Sequence, residues 1–361
     1  MADLPLLPIL TKQDIQAHYN DLLSLHPPQG HEAKFKIKST GTTGEPVTVA
    51  HSSISRSFQV LLKQRQLRWF RHDPMGLLVQ IRPAQDLPRN VQGDYLKRGE
   101  AFIGDNWPLV GKLFHTGKFI GFNDASTAKD KTALLERYQP DYLLGQSAQL
   151  EQLALEAKDI GFTFKLKAIE AISQQLTPDM ATVIDSIFQA PVYMNYGLNE
   201  VGIVAARCPE GNQYHVHSEN CIAEIVDQDG ITCKPGESGR LLVTAFGNLA
   251  MPLLRYDTDD MAEVSDGPCV CGRTLPTFRE IHGRYRRTAL LPPGVWDYWV
   301  NIQRCLGEMS IEELRNLHQY QLHHHRDGTF TLNIVTGGDL HPVFLEKIGK
   351  HWNTGKEGVP A

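Results

Sequence analysis

Nowhere in this 361-residue chain do about 18 consecutive apolar residues occur, so no membrane-spanning helix is expected. Basic charge is also scarce. Lys and Arg number 36 against 41 Asp and Glu, a net charge of −5, and no run of cations offers the footprint that binding to a phosphate backbone needs. No nucleic-acid partner is expected. The opening segment, Met1 to Leu10, is interrupted by Pro5 and Pro8 and lacks a basic leader, so it does not read as a signal peptide and the expected compartment is the cytoplasm. Cysteine is too sparse, at six residues, for the disulfide framework of a small secreted domain. Five of the six (Cys208, Cys221, Cys233, Cys269 and Cys271) lie between 208 and 271, a clustering that points to metal binding or to buried free thiols.

What is present is an ordinary globular composition, 41% hydrophobic and 21% charged, in a chain long enough for one large domain and a small one. Lys34–Lys38 alternates and 47–50 is rich in β-formers, so the intervening Ser-Thr-Gly-Thr-Thr-Gly joins two strands. A helix is expected over 52–70. From residue 76, short apolar runs (76–81, 141–144, 166–172, 191–194) alternate with helical patterns (127–138, 147–158, 177–188), the signature of an α/β sheet with parallel strands. Residues 213–265 read as β-rich, with strands at 222–226 and 240–244. The remainder, 285–361, reads as a small α+β domain with a helix at 298–306, strands near 317–323 and 329–335 and a last helix from 341. The expected division is therefore 1–284 and 285–361.

Three segments carry chemistry. Ser39-Thr40-Gly41-Thr42-Thr43-Gly44 combines glycines that allow close backbone approach with hydroxyls that can surround phosphate oxygens. It is not a Walker A loop, because Glu45 and Pro46 stand where Lys and a hydroxyl residue are required. Asn195-Tyr196-Gly197-Leu198-Asn199-Glu200 follows an expected strand, at the carboxyl end where α/β sheets bind ligands. There Tyr196 offers a ring to a base, Asn199 an amide to a phosphate and Glu200 a carboxylate to Mg²⁺. In Arg255-Tyr256-Asp257-Thr258-Asp259-Asp260 the last carboxylate can accept both hydroxyl hydrogens of a ribose. Each alone is also an ordinary turn: a Gly/Thr loop, a glycine-dependent bend, a solvated acidic stretch.

Taken together and in this order, the three segments resemble the adenylate-forming superfamily. Gly236-Glu237-x-Gly239, Cys269-x-Cys271-Gly272-Arg273-Thr274-Leu275-Pro276, Ile281-x-Gly283-Arg284 and Leu7–Lys12 are similar to its phenylacetate-CoA ligase and coenzyme F390 synthetase-like branch. The resemblance spans about residues 4–287. It implies a large N-terminal adenylation domain with parallel-rich sheets and a β-rich subdomain, followed by a small C-terminal α+β domain, shortened here. It also implies ATP-dependent activation of a carboxylic acid, aryl or related, as an acyl-adenylate with release of pyrophosphate. Transfer to a thiol follows, with CoA the default acceptor, a carrier-protein thiol next and an amine third. A nucleotide-binding module without catalysis is the reading from another class. By the same resemblance, residues 39–44 hold the departing phosphates with Thr42 central, Glu200 places Mg²⁺, Asp260 binds ribose, Arg284 contacts the nucleotide, and Ser173-Gln174 stands where Gly-Glu flanks the adenine. A homodimer would be usual. The chain departs from the pattern at Glu45 (lysine), Asn199 (threonine), Asp259 (glycine) and Tyr285-Arg286-Arg287 (acidic hinge residues).

Metal is a separate expectation. Cys208 and His215 with Cys269-x-Cys271 make a Cys₃His set suited to a structural, tetrahedral Zn²⁺, as in some members of the branch. His217, Cys221 and Cys233 are alternative ligands. Trp107, Phe114, Phe119 and Phe122 are candidates for the acid pocket or for core.

Overall fold

The computed structural model describes residues 3–39, 46–158, 162–284, 309, 317–325, 329–336 and 338–354. The chain divides into two compact units, one of Met1–Leu176 with Ile184–Arg286, the other of Thr177–Val183 with Arg287–Ala361.

In the first unit the two expected strands form a hairpin: β1 (Phe35–Lys38) pairs antiparallel with β2 (Thr48–His51), and residues 40–45 between them lie outside the described residues. The neck of that loop is closed by Ser39, whose N–H donates to Val47 O at 2.8 Å and whose Oγ accepts from Val47 N at 2.9 Å. Helix α1 (Lys12–Ala17) starts at a capping box in which Thr11 and Asp14 exchange bonds. Helix α2 (Ser53–Trp69) is capped in the same way by Ser52 and Ser55.

One 12-stranded sheet organises the unit. Strands β3 (Leu78–Arg82), β5 (Phe119–Asn123), β6 (Tyr142–Gln146), β7 (Ala168–Ile172) and β8 (Val192–Leu198) pair in parallel, and β4 (Ala101–Gly104) closes the edge antiparallel to β5. Helices α3 (Ala128–Tyr138), α4 (Ser147–Ala157) and α5 (Pro178–Phe188) connect successive strands, as the alternating pattern requires. The other half is antiparallel: β9 (Gly202–Arg207), β10 (Tyr214–Val216), β11 (Cys221–Val226), β12 (Ser238–Ala245), β13 (Tyr256–Val264) and β14 (Thr277–Arg284).

Strand β8 belongs to both halves. Its first residues, Val192–Met194, pair in parallel with β7, and from Asn195 onward it pairs antiparallel with β9, with a register shift between Tyr196 and Gly197. The sequence pattern ends this strand at 194 and places 256–264 in a β-rich stretch without assigning it a strand. Both segments are strand instead, because sheet pairing supplies the polar residues' backbone partners and their acidic side chains find specific partners. Two cores follow the two halves. Tyr214, Tyr256 and Phe278 fill the antiparallel side, Trp107, Phe119 and Tyr142 the parallel side.

In the second unit β15 (Leu317–His324) and β16 (Phe330–Thr336) form a hairpin, and α6 (Pro342–Thr354) contributes Phe344 and Ile348 to a small core with Met309. The helix expected at 298–306 and the sixth cysteine, Cys305, lie outside the described residues.

Candidate active site and metal centre

The turn between β8 and β9 carries Asn199 and Glu200, and several buried side chains hold it. His51, at the end of β2, donates its Nε2–H to Asn199 O at 3.2 Å. Burial pushes the His51 pKa down, so the ring is held neutral. Gln59 of α2 reaches the same turn and accepts from Ile203 N at 2.6 Å. Gly202 makes room for that contact: its φ is +86°, and a Cβ there would lie 2.3 Å from the Gln59 amide. Asn199 Nδ2 donates to Lys38 O at 3.1 Å, so its amide ties the turn to the neck of the hairpin loop. The sequence reading gave that amide to a phosphate.

Glu200 is buried, and Tyr256 donates its hydroxyl to Glu200 Oε1 at 3.0 Å. Asp260 is buried as well, and Tyr196 donates to its Oδ2 at 2.6 Å. The two motif strands thus exchange partners: the tyrosine of each serves the carboxylate of the other. Burial, then the Asp260 carboxylate, push the Tyr196 phenol well above its ordinary pKa, and burial followed by Glu200 does the same for Tyr256. Both phenols are therefore donors at neutral pH. The Tyr196 ring stands edge-on to Phe278 at 6.3 Å between centroids. Its hydroxyl is engaged by Asp260.

The other acids of the third motif have structural partners. Asp257 is paired with Arg240 at 3.0 Å. Asp259 pairs with Lys12 at 2.6 Å and adopts φ +59°, a left-handed geometry that explains why glycine suits this position. Arg255, 3% exposed, donates to Pro5 O, Leu7 O and Gly230 O and pairs with Glu224, while Leu10 and Tyr256 bridge through their backbones. The Leu7–Lys12 segment is thereby bound along the third motif.

Ser173 adopts φ +64°, again a geometry proper to glycine, at the carboxyl end of β7. Gln174 accepts from Ala148 N at 3.2 Å and takes the Ser147 hydroxyl on its carbonyl at 3.0 Å, capping α4 from outside. Asn195 Nδ2 donates to Glu170 Oε1 at 2.7 Å, and Lys63 of α2 bonds to the same carboxylate. Burial opposes ionisation of Glu170, but Lys63 outweighs it and holds the carboxyl below its usual range. Sequence reasoning missed this pair because Lys63 and Glu170 lie in no motif. Gly197 sits in β8 beside the register shift. Arg284 pairs through its backbone with Asp260 across β13 and β14. Thr40, Gly41, Thr42, Thr43 and Gly44 lie outside the described residues. Of the four aromatic candidates, Trp107 borders a cavity, Phe119 and Phe122 are core, and Phe114 is exposed.

A second cluster forms where the β9–β10 and β13–β14 connections meet. Cys208, His215, Cys269 and Cys271 present ligand atoms that all lie within 4.8 Å of one another. Tetrahedral bonds of about 2.3 Å to sulfur set ligand atoms about 3.8 Å apart, so these four suit one ion. His215 Nε2 is 3.3 Å from Cys271 Sγ, and the Arg273 N–H donates to that sulfur at 3.4 Å. Burial opposes ionisation of Cys271, yet the Arg273 N–H and guanidinium hold its thiol below the ordinary value. Gly211 lines the cradle: a Cβ there would meet Cys269 Sγ at 2.7 Å. The alternatives are engaged elsewhere, His217 with Arg65 and Gln66, Cys221 and Cys233 with backbone carbonyls.

No protein-family model matches the chain. It is similar to the phenylacetate-coenzyme A ligase of Thermus thermophilus, 26% identical over 336 residues that cover 91% of this chain and 70% of that protein. Among solved structures, 2-hydroxyisobutyryl-CoA ligase in an open conformation with 2-HIB-AMP and CoA matches with TM-score 0.66 at 16% identity, over 98% of this chain and 76% of that one. ATP-bound MatB from Rhodopseudomonas palustris matches with TM-score 0.60 at 15% identity, over 89% and 62%. These structural likenesses speak to the fold. With the motif carboxylates gathered on adjoining strands, the chain shares the fold of these ligases and is similar in sequence to a phenylacetate-coenzyme A ligase over most of its length.

Proposed function

We propose that the chain activates a carboxylic acid with ATP and passes the acyl group to the thiol of CoA. The observation that carries this reading is the meeting of the second and third motifs, Glu200 with Tyr256 and Asp260 with Tyr196, beside the neck of the hairpin loop. A carboxylate of the acid attacks the α-phosphorus and pyrophosphate leaves; the thiol then attacks the acyl carbon and AMP leaves. Charge builds on the phosphates in the first step, so donors fixed before the reaction lower its barrier. In this reading the hydroxyls and amides of 39–44 hold the departing phosphates, Asp260 orients the ribose, and the exposed Ser173-Gln174 corner borders the adenine. Arg284, backbone-paired with Asp260, contacts the nucleotide. Glu200 would hold Mg²⁺, which supplies positive charge to the phosphates.

The Cys₃His cluster supports a structural Zn²⁺. Four protein ligands leave no coordination position for substrate, so its role is to tie two distant loops together. The division of the chain at 284 and 285 is proposed as the boundary between the adenylation domain and the small α+β domain. Among the described residues no helix is long and apolar enough to cross a membrane.

ATP–pyrophosphate exchange with a panel of aryl and aliphatic acids, followed by thioester formation with and without CoA, tests the proposal. Acid-dependent exchange that Glu200→Gln reduces about a hundredfold or more is expected, the scale of one lost transition-state contact. Exchange with no acid would refute it.

A further inference from the structure

We propose that the buried Lys63–Glu170 pair sets the acid specificity of this site, selecting an acid whose distal end carries a hydroxyl group over one that ends in hydrocarbon. The inference rests on the adenylation reading above. A cavity of about 30 Å³ lies between α2, the segment around Trp107 and the strands β3, β6 and β7. That is room for one or two water-sized groups. Trp107, Val110, Tyr142 and Leu144 give it apolar walls; Lys63, Glu170, His72 and Gln80 give it polar ones.

The polar side is joined to the nucleotide motif. Glu170 accepts from Asn195, the residue before Tyr196, and the Asn195 Oδ1 is buried without a hydrogen-bond partner. His72 must donate from Nδ1, since its partner at 3.1 Å is the Phe70 carbonyl, and its Nε2 is thereby an acceptor. Lys63 and Glu170 cancel each other's charge, so the cavity does not select an ion of either sign. It presents donors and acceptors together in a water-sized space, which suits a neutral group that both donates and accepts. A hydroxyl does so. A methyl or an unsubstituted ring edge would displace water from these groups without replacing its bonds, and sites built around a substrate hydroxyl discriminate strongly against the analogue lacking it.

The test is ATP–pyrophosphate exchange by the full chain with matched acids: 4-hydroxyphenylacetate against phenylacetate, 4-hydroxybenzoate against benzoate, and 4-hydroxybutyrate against butyrate. It is run on the wild type and on the Lys63→Met/Glu170→Leu double variant, because removing one partner alone strands a buried charge. In the wild type, kcat/KM for the preferred hydroxylated acid is expected to exceed that of its plain partner at least about tenfold. In the double variant that ratio should fall to about one or invert, with KM for ATP unchanged. Glu170→Gln, which keeps the shape, should shrink the same ratio and serves if the double variant does not fold. A wild-type ratio near one, or a ratio that survives these substitutions, overturns the proposal and leaves the adenylation reading standing; exchange with none of these acids overturns the specificity proposal, and exchange with no acid at all overturns both.

Discussion

Replacing Tyr196 with Phe removes a single oxygen and leaves the ring that packs on Phe278. The lost contact is short, at 2.6 Å, and joins two groups only 8% and 7% exposed. Its acceptor is a carboxylate, and a hydrogen bond to a charged group contributes about 1.5–3 kcal/mol when its partner is deleted. Because the ring volume is kept, no cavity cost adds to this, and a stability loss of about 2 kcal/mol is expected from urea denaturation. If Asp260 orients a ribose, freeing its Oδ2 also loosens the carboxylate, and the ATP dissociation constant measured by calorimetry should rise about tenfold, equivalent to about 1.4 kcal/mol. Tyr256→Phe is the matched control, since it frees Glu200 in the same way through a bond of 3.0 Å. A Tyr196→Phe protein with wild-type stability and wild-type ATP affinity would show that the pairing of Tyr196 with Asp260 neither stabilises the fold nor positions nucleotide.

Other consequences are as direct. Gly202→Ala should cost about 2 kcal/mol or more in urea denaturation, since the new Cβ meets Gln59 at 2.3 Å and the backbone is left-handed. Asp259→Gly relieves backbone strain of about 1 kcal/mol and loses a part-exposed pair with Lys12 of about the same worth, so stability should change by less than about 1 kcal/mol, whereas Asp259→Val should be clearly destabilising. Burial lowers the pKa of His51 and of His72, so the unfolded chain binds more protons below about pH 6.5. Their contribution is present above that pH and lost as pH falls, and His51→Gln should flatten the decline in urea midpoint between about pH 7.5 and 5.5. Elemental analysis should find about one zinc per chain, and Cys269→Ser with Cys271→Ser should abolish it and lower the melting temperature; a metal-free wild type of unchanged stability after chelation would refute the zinc centre.

The order of elements was legible because periodicity is a local property. The hairpin around 35–51, the β6–α4–β7–α5–β8 run and the final β15–β16–α6 stretch all follow from alternation, helical spacing and caps written in consecutive residues. The antiparallel strands β9, β10, β13 and β14 were harder to see. Their acids and arginines look solvated in one dimension, yet Asp257 meets Arg240 and Asp259 meets Lys12 only once the sheet is assembled.

Residue types and their order carried the resemblance to adenylate-forming enzymes, the candidate nucleotide carboxylates Glu200 and Asp260, and the four candidate metal-ligating side chains, because each of these is a choice of chemistry at a position. Tertiary structure alone decided who partners whom. It gave Tyr196 to Asp260 and Tyr256 to Glu200, turned the Asn199 amide to the loop neck, and set Lys63 against Glu170 across 107 residues of sequence. Those pairings depend on strand order and on the switch of β8 from a parallel to an antiparallel neighbour, which no local stretch of sequence encodes.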